Sequence, residues 1–247
     1  MLRAFVLLYG VVVYVLFLGS FLALVAFLAG VAPAWLTPRE AAVSWPLAVA
    51  IDVALVALFG VQHSVMARPW FKRAIQGVVP PPIERSTYVL MTVVVVAVML
   101  WSWQPIPTVV WHTEGAAAIA LRSAFVFGVL LVLVATFLID HFELFGLAQV
   151  VAFARGREHR PPTFRLNPLH ARVRHPLYVG WLITFFATPT MTIDHLVFAA
   201  ANAAYILIAI VHEERDLVAL HGPVYERYRA AVPKLVPALR PRVVRET

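Results

Sequence analysis

Four apolar runs, each about as long as a lipid bilayer is thick, constrain this chain more than any other feature. A transmembrane helix needs about 20 consecutive apolar residues. The chain is 62% hydrophobic and only 13% charged, whereas an average soluble domain has about 25% charged residues. The sequence therefore predicts an all-α polytopic membrane protein. The four predicted transmembrane helices are Ala4–Gly30, Trp45–Met66, Ser86–Trp103 and Gly115–Ile139.

A fifth apolar region, Pro176–Val211, is interrupted by Thr188-Pro189-Thr190 and Asp194-His195. Proline inside a helical pattern ends or kinks the helix. This region is therefore predicted to be a helical hairpin, which gives five to six membrane segments in all. The stretch Pro80-Pro81-Pro82 is predicted to be a stiff loop, and Pro233–Thr247 to be irregular.

The positions of lysine and arginine predict the orientation. Four of these residues fall in 68–85, six in 140–175 and seven after Val211, whereas 104–115 has none. Because cytoplasmic loops are enriched in Lys and Arg, both termini are predicted to be cytoplasmic, in a multi-pass protein of the inner (cytoplasmic) membrane. Two basic segments on one side need an even number of crossings between them, which agrees with the hairpin. The net charge of +7 then reflects contact with the bilayer, and no nucleic acid is expected as a partner.

We expect one membrane domain over residues 1–247, with the four spans in 1–139 and a binding region in 140–247. The chain has no cysteine, which excludes disulfides and thiolate metal ligands. The histidine spacings do not match those that put ligands on one helix face, so no metal site is predicted. Glycine-rich phosphate loops are also missing from the sequence.

Ionisable residues at membrane depth are functional candidates because they are costly there. They gather at the predicted cytoplasmic ends of the spans, in Gln62-His63-Ser64, Asp140-His141-Phe142-Glu143 and Glu213-Glu214-Arg215-Asp216. The simpler interpretation of each cluster is interfacial charge pairing. For Asp52, inside the second span, we favour polar contact between helices.

Two segments resemble a known superfamily. Arg174-His175-Pro176-Leu177-Tyr178-Val179-Gly180 resembles the Arg-His-Pro-x-Tyr-x-Gly element of the isoprenylcysteine carboxyl methyltransferase and phospholipid methyltransferase superfamily. Residues 213–217, Gly222, Tyr225, Tyr228 and 232–237 resemble its Glu-Glu-x-x-Leu, Gly-x-x-Tyr-x-x-Tyr and Val-Pro-x-x-x-Pro tail. Upstream, residues 59–64, 81–88 and 141–147 look like the methanethiol S-methyltransferase branch.

The resemblance implies S-adenosyl-L-methionine as cofactor, held in a cytoplasmic pocket closed by the C-terminal segment. Tyrosines could offer an aromatic face to the cofactor, the glutamates could accept hydrogen bonds, and Arg174 could clamp a carboxylate. A structural interpretation is that Pro176 starts a helix and the tyrosines anchor the interface. The implied cofactor-binding residues are Arg174, His175, Pro176, Tyr178, Gly180, Glu213, Glu214, Tyr225 and Tyr228.

The reaction implied is methylation of a small volatile thiol, methanethiol to dimethyl sulfide. A thiol is mostly protonated at neutral pH, so a base helps. The candidates are His63, Asp140 and His141, and the sequence does not choose among them. Phe59, Phe142, Glu143 and Phe145 are predicted to line the substrate pocket, although Phe59, Phe142 and Phe145 also suit ordinary helix packing.

Two alternatives stay open at this stage. One is a methyltransferase for another lipophilic acceptor, a phospholipid or a prenylcysteine. The other is a non-enzymatic, transporter-like membrane protein whose polar residues line a conduit. Besides the thiol and the lipid bilayer, no obligate protein partner is inferred.

Overall fold

The computed structural model describes residues 1–38, 40, 42–159, 167–238 and 240. Within these residues the chain is an all-α polytopic membrane protein, as predicted. Its five helices that are long and apolar enough to cross a membrane are α1 Leu2–Leu28, α2 Trp45–Ala67, α4 Pro81–Ser102, α5 Gly115–Ile139 and α9 Ile193–His221.

Shorter elements connect these helices. The 11-residue apolar helix α8, Pro176–Phe186, precedes α9. A two-stranded sheet pairs β1, Val109–His112, with β2, Thr190–Thr192. The remaining short helices are α3 Pro69–Ile75, α6 His141–Leu144, α7 Leu147–Ala154 and α10 Pro223–Ala231.

The helical region is interrupted where the proline predicted a break. Helix α8 ends at Phe186, and α9 begins at Ile193 after β2. The short sheet is not evident from the sequence, because three- and four-residue strands carry too little pattern. Residues 233–238 and 240 lie outside helices and strands, in agreement with the irregular tail, whereas 239 and 241–247 lie outside the described residues.

The prediction for the proline triplet was wrong in part. Helix α4 begins at Pro81, five residues before the predicted start, with prolines in its first turn. Proline suits that position because its missing N–H would have no partner there and its φ angle already fits a helix. As a consequence, Glu84 and Arg85 lie on α4 rather than in a loop.

Many apolar side chains of the spans point away from the protein. On α1, for example, Leu8 is 61% exposed and Leu22 is 65% exposed. Large contiguous apolar surfaces mark membrane or partner contact. On helices of this length, such surfaces fit contact with lipid chains.

The chain divides into two compact units. Unit 1 comprises Met1–Trp111, Asp140–Pro162 and Thr190–Ala201. In it, α1 packs against α4 and α7. Gly10 allows the close contact with α7, since a Cβ there would lie 2.5 Å from a methyl carbon of Val150. Gly146 has φ +86°, and a Cβ on it would lie 2.6 Å from the Ser86 hydroxyl oxygen.

Unit 2 comprises His112–Ile139, Thr163–Pro189 and Asn202–Thr247. In it, α5 packs closely along α8. Gly128 and Gly180 face each other across this contact, and a Cβ on Gly180 would lie 2.9 Å from the Gly128 carbonyl oxygen. The glycine of the Arg-His-Pro-x-Tyr-x-Gly element therefore allows two helices to approach closely.

Candidate functional site

The predicted site residues fall into two groups, one in each unit. The candidate bases and pocket residues belong to unit 1, and the candidate cofactor residues belong to unit 2.

In unit 1, His63 lies near the end of α2 and faces α4. Its Nε2 is 2.8 Å from the Tyr88 hydroxyl oxygen, and its Nδ1 is 3.5 Å from the hydroxyl oxygen of Thr92. Phe59, one turn earlier, stacks on the imidazole at 5.2 Å. The Arg85 guanidinium lies 4.8 Å from the centre of the Tyr88 ring. His63 is therefore held by neutral hydroxyl groups rather than by a carboxylate.

The second candidate base, His141, is buried at the start of α6 and has a similar partner. Its Nε2 is 2.8 Å from the hydroxyl oxygen of Tyr14 on α1. The neighbouring Asp140 caps α6, because its carboxylate accepts a hydrogen bond of 3.1 Å from the Glu143 backbone N–H. Burial lowers the pKa of His141, and the nearby Asp140 carboxylate only partly opposes this. The ring is therefore neutral at pH 7 and able to accept a proton.

Aromatic rings connect the surroundings of the two histidines. Phe145 stacks on Phe17 with 3.8 Å between the ring centres and meets His141 edge to face at 4.9 Å. Phe17 and Phe145 also pack against the buried cluster that contains Tyr88. Phe142 contacts the His141 ring and is half exposed. Of the predicted pocket residues, Phe59, Phe142 and Phe145 thus each touch a candidate base.

Glu143, the remaining predicted pocket residue, has polar neighbours. Its carboxylate is 2.7 Å from His159 Nε2 and accepts a hydrogen bond of 2.9 Å from the Gln149 amide. It lines a cavity of about 330 Å³ together with Lys72, Arg85 and other polar residues. This arrangement does not resemble a pocket for an apolar methyl group, so Glu143 and the three phenylalanines differ in character.

In unit 2, Glu214 joins the two motifs. One of its oxygens, Oε1, accepts hydrogen bonds from Arg174 Nε at 2.8 Å and lies 2.9 Å from His175 Nε2. All three side chains are less than one tenth exposed. Arg174 also donates to the backbone oxygen of Val232 at 2.7 Å. This buried group therefore fixes the Arg-His-Pro element to α9 and to the C-terminal segment.

Glu213 differs from its neighbour because its side chain is 44% exposed. The Tyr178 hydroxyl donates to its Oε2 at 2.8 Å. The Tyr178 ring also lies against His175, with 5.5 Å between the ring centres. A half-exposed carboxylate keeps acceptor capacity for a ligand. Of the two glutamates, Glu213 is thus the one with room to bind a cofactor.

The two tyrosines of the tail are buried. Tyr225 and Tyr228 are each 2% exposed and pack with Val232. Burial raises the pKa of Tyr225 to about 12. The Tyr228 hydroxyl donates to the backbone oxygen of His170 at 2.9 Å. Tyr228 therefore holds α10 against the loop that precedes Arg174, and Tyr225 packs in the same buried cluster.

Backbone hydrogen bonds complete the attachment of the C-terminal segment. The N–H groups of Arg174 and His175 donate to the carbonyl oxygens of Pro233 and Lys234, at 2.9 and 3.3 Å. The Ala238 N–H donates to the Arg172 carbonyl oxygen at 2.9 Å. His175 caps α8, and Pro176 occupies its first turn. The tail is therefore bound along the motif itself.

The residues of unit 2 suit the cofactor that the resemblance implies. Glu213 offers a carboxylate and Tyr178 an aromatic face. In addition, the Nδ1 atom of His170 is buried and has no hydrogen-bond partner among the described residues. A buried nitrogen in this state needs an explanation such as a bound ligand or water.

Several residues of these sites were not predicted from the sequence. Tyr14 and Tyr88 read as ordinary aromatic residues of apolar spans, and each is distant in sequence from the histidine that it contacts. His159 and Gln149 follow Glu143 without a recognisable motif. The one feature of the sequence that could have pointed to Tyr14 and Tyr88 is that polar groups are rare in apolar spans. This argument is weak for tyrosine, because most of its side chain is apolar.

Comparison with known proteins gives relatives over nearly the whole chain. A methanethiol S-methyltransferase of Crocosphaera subtropica is 44% identical over 236 residues, covering 95% of this chain and 92% of its own length. One of Pseudomonas deceptionensis is 51% identical over 198 residues, covering 80% of this chain and 76% of its own. Nurim of Xenopus laevis is 31% identical over 175 residues, 66% of this chain and 60% of its own.

A scan against protein-family models gave no match. Among solved structures there was likewise no match. The two S-methyltransferases nevertheless exceed 40% identity, and each shares most of its length with this chain. The chain therefore belongs to the methanethiol S-methyltransferase family.

Proposed function

We propose that this membrane protein methylates methanethiol to dimethyl sulfide, using S-adenosyl-L-methionine at the cytoplasmic face of the membrane. The observation that carries the proposal is the near full-length similarity to methanethiol S-methyltransferases. The cytoplasmic side rests on the distribution of Lys and Arg along the sequence.

Unit 1 supplies the base in this proposal. The thiol proton passes to a neutral imidazole, His63 or His141, and the resulting thiolate is the nucleophile. The tyrosine hydroxyl beside each ring orients it, and Asp140 fixes His141 by capping α6. Phe59, Phe142 and Phe145 exclude water and offer an apolar surface to the methyl group of the thiol.

Unit 2 holds the cofactor in this proposal. When bound, S-adenosylmethionine supplies an electrophilic methyl group and leaves as S-adenosylhomocysteine. Glu213 and Tyr178 bind it directly, while Arg174, His175 and Glu214 keep the motif and the C-terminal segment in place. Tyr225, Tyr228, Pro176 and Gly180 support the same arrangement through packing.

The test is headspace gas chromatography of the purified protein in detergent, supplied with S-adenosylmethionine and methanethiol. We expect dimethyl sulfide that depends on both reagents and on intact His63 or His141. Replacing methanethiol with a phospholipid or a prenylcysteine tests the other acceptors. If only one of these becomes methylated, the acceptor in the proposal is wrong. If S-adenosylhomocysteine does not bind, the cofactor is wrong as well.

A further inference from the structure

His170, in the loop that precedes Arg174, has a feature that the proposed reaction does not use. Its Nδ1 atom is buried and has no hydrogen-bond partner among the described residues. Nearly all buried polar atoms in folded proteins are hydrogen-bonded to protein or to ordered water. Leaving one unpaired costs free energy, which a suitable ligand recovers.

The backbone around His170 is fixed from both sides. The carboxamide oxygen of Asn167 accepts hydrogen bonds from the N–H groups of Leu169 and His170, at 3.1 and 3.0 Å. The Asn167 amide in turn donates to the Leu138 carbonyl oxygen at 3.1 Å. The Tyr228 hydroxyl donates to the His170 carbonyl oxygen at 2.9 Å. Hydrogen bonds therefore hold the backbone that carries the imidazole, and such preorganisation favours ligand binding.

The charge state of the ring limits the kind of ligand. Burial and the nearby His175 lower the pKa of His170 to about 4. At neutral pH the ring is uncharged, with one nitrogen that donates and one that accepts. Burial also disfavours a charged partner unless that charge is neutralised. The ligand group that suits this ring is therefore an uncharged hydrogen-bond donor or acceptor.

S-Adenosylmethionine has two chemically different ends. Its methionine end carries an ammonium, a carboxylate and a sulfonium, whereas its adenosine end offers uncharged ring nitrogens, an amine and hydroxyls. We propose that Nδ1 of His170 forms a hydrogen bond with the adenosine half of the cofactor. This inference rests on the proposed function, because it assigns a residue to the same cofactor.

The experiment measures binding of two compounds that share the adenosine half, by calorimetry on the full chain in detergent. S-Adenosylhomocysteine has the amino-acid end, and methylthioadenosine lacks it. Replacing His170→Phe keeps a ring but removes the nitrogen, and we expect about tenfold weaker binding of both compounds, by the same factor. His170→Asn restores affinity, because its amide reaches the position of Nδ1.

Controls separate the possible failures. His212→Phe makes the same change at an exposed histidine of unit 2 and is expected to leave both affinities unchanged. If His170→Phe does not fold, the comparison of His170→Asn with His170→Gln decides, because the longer amide misses the Nδ1 position and should bind about tenfold more weakly.

Three results would overturn the inference. Unchanged binding of both compounds by His170→Phe removes His170 from the site. Weaker binding of S-adenosylhomocysteine alone moves the contact to the amino-acid end. If the wild-type chain binds neither compound, the proposed function fails first and this assignment fails with it.

Discussion

The two candidate bases of unit 1 and the motif histidine of unit 2 have different kinds of partner. In unit 1, His63 and His141 each lie 2.8 Å from a tyrosine hydroxyl. In unit 2, His175 lies 2.9 Å from the buried carboxylate of Glu214, which Arg174 also contacts. Both arrangements join helices that are distant in sequence, yet they suit different tasks.

The difference follows from electrostatics. A hydroxyl partner orients an imidazole without stabilising its protonated form strongly, so the ring can take up a proton and release it. A buried carboxylate shared with arginine ties its partners together, and removing one partner leaves an uncompensated charge. In the proposed function, unit 1 therefore carries out the proton transfer. In unit 2, the buried hydrogen bonds hold a chain segment in place.

The largest expected effect is the loss of turnover when the histidine base of unit 1 is removed. Loss of a general base lowers turnover by about 10²–10⁴-fold. If His63 is the base, we expect His63→Ala to lower turnover by this factor and His141→Ala to lower it less. If His141 is the base, we expect the reverse. Dimethyl sulfide production by each variant is the measurement, with the exposed His112→Ala as control. Near wild-type turnover in both variants would contradict a histidine base.

The next largest effect is expected in unit 2, where it changes stability instead of turnover. Glu214→Gln leaves Arg174 and His175 without their shared carboxylate and should lower the free energy of unfolding by about 3–5 kcal/mol. Reversible unfolding in mixed detergent micelles measures it. The adjacent Glu213→Gln is the matched control, because its side chain is 44% exposed. Equal losses in both variants would show that Glu214 has no special structural role.

A smaller effect is expected for the tyrosine hydroxyls that contact the candidate bases. Tyr88→Phe and Tyr14→Phe each remove one hydroxyl and leave the ring packing intact. If the hydroxyl orients the base, turnover should fall about tenfold for the tyrosine that contacts it, with little change in KM. The other substitution should have a small effect. Steady-state kinetics at several thiol concentrations give kcat and KM separately, and a change confined to KM would assign the hydroxyl to substrate binding.

The sequence predicted the fold more completely than the sites, for a physical reason. A span is a local property, since about 20 apolar residues in a row identify it. The break between α8 and α9 is also a local property, because Pro189 marks it. The start of α4 was missed because a proline triplet suits a loop and a helix N-terminus equally.

The sites depend on contacts between distant parts of the chain. The motif residues Arg174, His175 and Glu214 do lie together, as the paired motifs suggested, and buried hydrogen bonds join them. Tyr14 contacts a histidine 127 positions later. Such a contact requires the packing of α1 beside α6, which no local pattern specifies.

The smallest predicted effect concerns His170 and the dependence of stability on pH. The ring has a pKa of about 4 in the folded protein, against roughly 6.5 in an unfolded chain. The unfolded chain therefore takes up the proton first, so the contribution to stability is complete above pH 6.5 and is lost as pH falls towards 4. Between pH 7.5 and 5.5 the loss attributable to His170 is about 1 kcal/mol.

Replacing His170→Asn isolates this contribution, because the amide does not titrate in that range. The free energy of unfolding in mixed micelles, measured at pH 7.5 and 5.5, should fall by about 1 kcal/mol less for the variant than for the wild type. Parallel declines would mean that His170 is as easily protonated when folded as when unfolded.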